Sequence, residues 1–220
     1  MTLILASASP RRRELLQQIG AVFTIECSNA PEIIDTSLPP EEMVQQLALQ
    51  KASAVAAHRA DGLVLGADTI VVNEGALLGK PASTDEAAAM LRSLSGKWHQ
   101  VMTAVALVDA SGQREPWVSV EKTGVKFRSL NERDIAAYVA TGESMDKAGA
   151  YGIQGYGALL VERIEGCYFN VVGLPLQLVA TGLRNWGVNL YDYNGVQNEG
   201  ISAACPSAGT DGDAGGSTAD

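Results

Sequence analysis

Apolar positions along this chain switch between two periods, and the switches mark out its elements. Residues 2–6 (TLILA) are nearly all apolar and read as a short buried strand. Leu15, Leu16 and Ile19 then recur at helical spacing behind Ser9, a good N-cap, and Pro10, which suits a first helical turn; Gly20 closes the run. A second strand is expected from Phe23 to Cys27, followed by an irregular segment holding Pro31, Glu32 and Asp35. Pro39-Pro40-Glu41-Glu42 opens an Ala-rich helix that reaches about Arg59. GLVLGADTIVV, residues 62–72, is a buried strand, and residues 76–81 form a short strand ending in a loop.

Ser83 and Glu86 make a capping box for a helix over Asp85–Leu94. Val101–Val108 and Trp117–Phe127 read as an antiparallel hairpin about Asp109-Ala110-Ser111-Gly112. Asn131 caps a helix through Tyr138. A glycine-studded stretch follows, then strand-like runs at Ala158–Glu162 and Tyr168–Val172, and a helix from about Leu174 to Trp186. From Asn189 the pattern lapses into Gly, Ser, Ala, Asn and acids. Such a segment cannot bury enough surface to offset its ordering entropy, so 1–188 is expected to be the folded unit and 189–220 a disordered acidic tail.

Composition adds limits. With 220 residues, 46% of them hydrophobic and 19% charged, the chain can bury a sizeable core. A net charge of −9 argues against general nucleic-acid binding, so any polyanionic ligand needs a local cationic pocket. No run approaches a membrane span. The N-terminal apolar stretch precedes its arginines, the reverse of a secretory signal, and Glu14 breaks the acid-free character of a transit peptide. Cys27, Cys167 and Cys205 are odd in number and lack metal-like spacing, which favours a reducing compartment. A cytoplasmic protein is expected.

Within this acidic chain, Arg11, Arg12 and Arg13 stand where a helix dipole disfavours cations. With Ser7, Ser9 and the helix-start N–H groups, Arg11 and Arg12 read as a phosphate cradle, with Arg13 solvated, or else as a capped helix with solvated arginines. Asp68 is the conspicuous charge in an apolar strand, placed where open α/β sheets hold ligands; it suits a cation or a water, or simply caps the next turn. Lys80, stiffened by Gly79 and Pro81, can neutralise phosphate or lie solvated. Glu32 and Asp35 offer further metal-binding oxygens, and Lys51 is weak on its own. Around Lys147 and Gln154 the glycines imply close backbone approach, and a Gln amide can read a base edge. Two histidines, His58 and His99, are too separated for a zinc site, and no nucleophile elbow or stacking strip is present.

Taken in order, LASASPRRRELL, KASAVA (51–56), GADTIVV, LGKP, LSGKWHQVMTAV, TGVKFRSL, TGESMDKAGAYGIQG and NVVGLPL resemble the Maf proteins, nucleoside triphosphate pyrophosphatases once associated with septum formation. The resemblance covers residues 3 to about 186. It implies a mixed α/β fold, a long bent sheet flanked by helices in two lobes about a central cleft, similar to the inosine-triphosphate pyrophosphatases. It also implies metal-dependent hydrolysis between the α and β phosphates, with Mg or Mn as the divalent cation. Asp68 would be the proton acceptor or a metal ligand, with Glu32 beside the metal and Lys80, Ser7 and Arg12 on phosphates. Arg11, Thr69 and Gln154 match positions tied to substrate choice, and Lys51 is a further binding candidate.

DKAGAYGIQG resembles the branch acting on dTTP, UTP and modified pyrimidines rather than the 7-methyl-GTP branch. Ser144 stands where many relatives have Pro. A homodimer is implied, without any interface visible in the sequence. The competing class is a nucleotide-binding regulator of septum formation with hydrolysis incidental; the joint presence of Asp68, Lys80, Glu32 and Gln154 favours the enzyme.

Overall fold

The computed structural model describes residues 2–27 and 33–193, with the side chains of 192 and 193 left aside. Glu32 and the tail beyond 193 therefore lie outside the described residues. The described elements are β1 (Leu3–Leu5), α1 (Pro10–Gln18), β2 (Thr24–Ile25), α2 (Pro40–Ala56), β3 (Leu63–Asn73), β4 (Ala76–Leu78) and α3 (Thr84–Leu94). They continue with β5 (Trp98–Asp109), β6 (Trp117–Phe127), α4 (Glu132–Ala140), β7 (Val161–Glu165), α5 (Tyr168–Val172) and α6 (Leu176–Asn185). Short 3-10 turns occupy Ala148–Ala150, Gly155–Leu159 and Leu190–Tyr193.

Seven strands form one mixed sheet in the order β2-β1-β3-β5-β6-β7, with β4 also on β3. β2, β1 and β3 run parallel, while β3, β5, β6 and β7 are antiparallel neighbours. One face carries α2 over Ile4, Val64, Ile70 and Ala104; the other carries the remaining helices over Leu65, Val105, Val125 and Phe127. The expected α/β class, a mixed sheet flanked by helices, is therefore what the chain forms.

α2 lies unusually close to the sheet because the contact is made by small residues. A methyl group on Gly66 would stand 2.4 Å from the Ala48 carbonyl oxygen and 2.8 Å from the Ala52 nitrogen. That proximity brings Lys51, on the same turn of α2, down to β3.

Three local expectations are corrected. Tyr168–Val172 is a helical turn and not a strand: Cys167 is the extended N-cap, and Gly173, at φ 124°, ends it. The run expected at Ala158–Glu162 divides into the 3-10 turn Gly155–Leu159 and a strand that begins only at Val161. Ser9 is the N-cap of α1 but makes no side-chain cap; its backbone N–H donates to Ser7 Oγ at 3.2 Å. Asn131 caps α4 as expected, whereas the Ser83–Glu86 box is half formed: Ser83 Oγ accepts from Glu86 N–H, but the Glu86 carboxylate accepts from Ala82 N–H and not from Ser83 N–H. Cys167 is a free thiol.

Candidate active site

β3 makes the site by changing partners halfway along its length. Its first residues, Leu63–Leu65, pair with β1, and its last, Val71–Asn73, pair with β4. On that edge, residues 66–70 face no strand, and a cleft of about 870 Å³ opens beside them. Ligands in open α/β sheets collect at such breaks in strand order. The β1–α1 turn, α2, the segment after β4, the glycine-rich loop and the end of α5 converge on this opening.

Alternation along β3 sends Asp68 and Thr69 to opposite faces. Asp68 meets α2, where Lys51 Nζ donates to its Oδ1 at 2.5 Å; both side chains are largely buried. Oδ2 has no partner among the described residues, so one oxygen is fixed and the other is available. Thr69, on the far face, accepts from Arg12 Nη2 at 3.1 Å and lies 3.0 Å from Thr103 Oγ1.

Arg12 ties the opening together. Its Nε donates to the Gly173 carbonyl at 2.8 Å, and Nη1 reaches the Ala67 carbonyl at 2.8 Å and Ser7 Oγ at 3.2 Å. One guanidinium thus braces β3, the β1–α1 turn and the end of α5. Arg11 pairs with Asp146 at 3.2 Å, and Lys147 grips Asp146 and the Glu143 carbonyl at 2.5 and 2.6 Å. Burial alone would raise the Asp146 carboxyl, but Lys147 and Arg11 outweigh it and hold it below the usual range. Lys80 is exposed at the rim and has no protein partner among the described residues.

Gln154 is likewise exposed in the cleft wall, and its loop is held from below. Gly152 N–H donates to the Tyr138 hydroxyl at 3.3 Å, and the Glu143 carboxylate accepts from the N–H groups of Tyr156 and Gly157. Tyr151 reaches the buried His99 ring at 2.7 Å and packs edge-on against Phe127. Burial pushes His99 down to about 4, Tyr138 up to about 12 and Tyr151 higher still. This anchor keeps the loop rigid while leaving the Gln154 amide free.

The structure thus gathers Ser7, Arg11, Arg12, Lys51, Asp68, Thr69, Lys80 and Gln154 around one opening; Glu32 lies outside the described residues. Sequence reasoning missed Glu143, Asp146, Thr103 and Asn170. The last two carried a faint signal, each a polar residue enclosed by apolar neighbours. Among the described residues, five cations (Arg11, Arg12, Lys51, Lys80, Lys147) and three acids (Asp68, Glu143, Asp146) line the cleft.

A family model described as Maf-like protein matches residues 2–186. The chain belongs to the Maf family. Among curated Maf relatives, the dTTP/UTP pyrophosphatase of Moorella thermoacetica is 58% identical over 189 residues, covering 86% of this chain and 97% of that protein. The dTTP/UTP pyrophosphatase of Pelotomaculum thermopropionicum is 52% identical, covering 86% of this chain and 98% of that one. Among solved structures, a HAM1 protein from Coxiella burnetii overlaps at a TM-score of 0.49 and 16% identity, over 84% of this chain and 100% of that one.

Proposed function

We propose that this Maf protein hydrolyses dTTP and UTP, and modified pyrimidine triphosphates of the same shape, to the nucleoside monophosphate and pyrophosphate. One observation carries the reading. Among the described residues, a chain with a net charge of −9 gathers five cations against three acids around a cleft that Asp68 lines with one oxygen free. The names of its close relatives supply the substrate class.

In this reading the triphosphate lies along Arg11, Lys80 and the Ser7 turn. Ser7 Oγ already accepts from Arg12 and from Ser9 N–H, which leaves its own proton to donate to a phosphate oxygen. Asp68, oriented by Lys51, takes a proton from water as that water attacks the α-phosphorus. The α–β bridging bond breaks, and pyrophosphate leaves against the cations, which stabilise the charge it gains. Gln154 offers a donor and an acceptor to the O4 and N3–H edge of uracil or thymine.

The donor set suits Mg²⁺ or Mn²⁺, since such an ion needs only one or two carboxylates beside substrate phosphates and water. Among the described residues no cluster of three acidic, His or Cys side chains is present. Glu32 would hold the ion, and Asp68 would join it in the alternative in which its free oxygen is a ligand and not the base; the ion would neutralise phosphate charge and polarise the α-phosphoryl group. The proposal takes 1–188 as the catalytic unit and 189–220 as an appended tail. It takes a homodimer as the acting species on the family resemblance, and the cytoplasm as its location because the triphosphate pool is there. Among the described residues, no helix is long and apolar enough to cross a membrane.

Asp68→Asn tests the chemistry. Its kcat for UTP should fall about 10²–10⁴-fold, with a much smaller change in KM. Full turnover in the variant would remove Asp68 from the reaction.

A further inference from the structure

Thr69 lies at the end of a buried hydroxyl chain that the reaction does not use. Thr103 Oγ1, fully buried on β5, lies 3.0 Å from the Asn170 carbonyl and 3.0 Å from Thr69 Oγ1. Asn170 is itself locked: its Nδ2 donates to the Val101 carbonyl at 3.0 Å and to Thr123 Oγ1 at 2.8 Å. Thr123 Oγ1 in turn reaches the Cys167 carbonyl, also an acceptor.

The proton count then has one satisfying solution. A carbonyl cannot donate, so Thr103 spends its only proton on Asn170. The bond between the two threonines must therefore be made with the Thr69 proton. Thr69 also accepts from Arg12 Nη2 at 3.1 Å. Both its proton and one lone pair are committed, and what remains for the cleft is one acceptor site. Reversing the chain would strand the Asn170 carbonyl in the core without its donor. Ser7 shows the opposite polarity on the same guanidinium: it accepts twice and keeps its proton.

We propose that Thr103, held by Asn170, is a positioning residue that fixes Thr69 as a hydrogen-bond acceptor, so that Thr69 meets a donor of the nucleoside and never a phosphate oxygen. This rests on the pyrimidine triphosphate reading above. dTTP and UTP share two such donors, the N3–H of the base and the 3′-hydroxyl of the sugar. The Gln154 amide already suits N3–H, which leaves the 3′-hydroxyl to Thr69.

The test compares wild type, Thr103→Val and Thr103→Ser, each checked for its melting transition. Affinities are measured for non-hydrolysable α,β-methylene analogues of dTTP, its 3′-deoxy counterpart, UTP and CTP. Wild type should prefer dTTP over the 3′-deoxy analogue at least tenfold. Thr103→Val removes the group that orients the Thr69 hydroxyl, so its lone pair is no longer held toward the cleft and its proton can turn there instead, which should reduce that preference to within threefold; Thr103→Ser, which keeps the hydroxyl, should restore it. Collapse of the UTP-over-CTP preference instead would sustain the acceptor role and move the donor to N3–H. The proposal is overturned if folded Thr103→Val keeps both wild-type preferences, or if wild type shows neither. Hydrolysis of dTTP by wild type is read separately: binding selectivity without pyrophosphate release would sink the enzymatic reading and leave the relay standing.

Discussion

His99 illustrates how a single residue couples the site to the core. It is 3% exposed, hydrogen-bonded to Tyr151, and pushed down to about 4 by burial, so it is neutral in the folded protein at neutral pH. The unfolded chain titrates near 6.5, so between 6.5 and 4 it binds a proton that the native state refuses. Stability therefore rises with pH through this window, by about 3 kcal/mol in all, of which about 2 kcal/mol is already lost on acidifying to pH 5. His99→Gln should lower Tm at pH 7 and flatten its dependence between pH 5 and 7. A slope as steep as that of wild type would place the proton elsewhere. Asp68 was legible in the sequence because a charge inside LVLGADTIVV has no apolar use. Arg12 was legible as a cation but not as a brace, since the Ala67, Thr69 and Gly173 oxygens it donates to come from β3 and the end of α5, more than 50 residues away.

Among the elements, β3 and α2 carry the account. Gly66 permits the helix to approach, and the approach sets Lys51 on Asp68. Gly66→Ala should cost about 1–3 kcal/mol through the clash with the Ala48 carbonyl. It should also reduce kcat/KM for UTP by shifting Lys51; a variant with unchanged melting and unchanged kinetics would contradict this packing. Long elements were legible because pattern and caps agreed, as in α3 and α4. α5 was not. Its Tyr, Phe and Val residues favour strands locally, but Asn170 and Val171 are drawn into the core as one helical turn, and packing overrides propensity. The gap on β3 was equally hidden, because two different strands pairing with its two ends leaves no mark in its own sequence.

At the scale of the whole molecule, an acidic protein brings five cations, among the described residues, to one opening. The order of motifs pointed to this opening, although only the structure shows that Lys51 meets Asp68 and Arg12 meets Thr69 at it. The proposed substrate rests on relatives named for dTTP and UTP. The decisive measurement is pyrophosphate release by the purified chain with Mg²⁺ or Mn²⁺, across dTTP, UTP, CTP, GTP, ATP and 7-methyl-GTP. The account predicts release from dTTP and UTP, at least tenfold above the other triphosphates and lost in Asp68→Asn. Release from 7-methyl-GTP alone would overturn the pyrimidine reading, and folded protein that binds a triphosphate without cleaving any would contradict the enzyme itself.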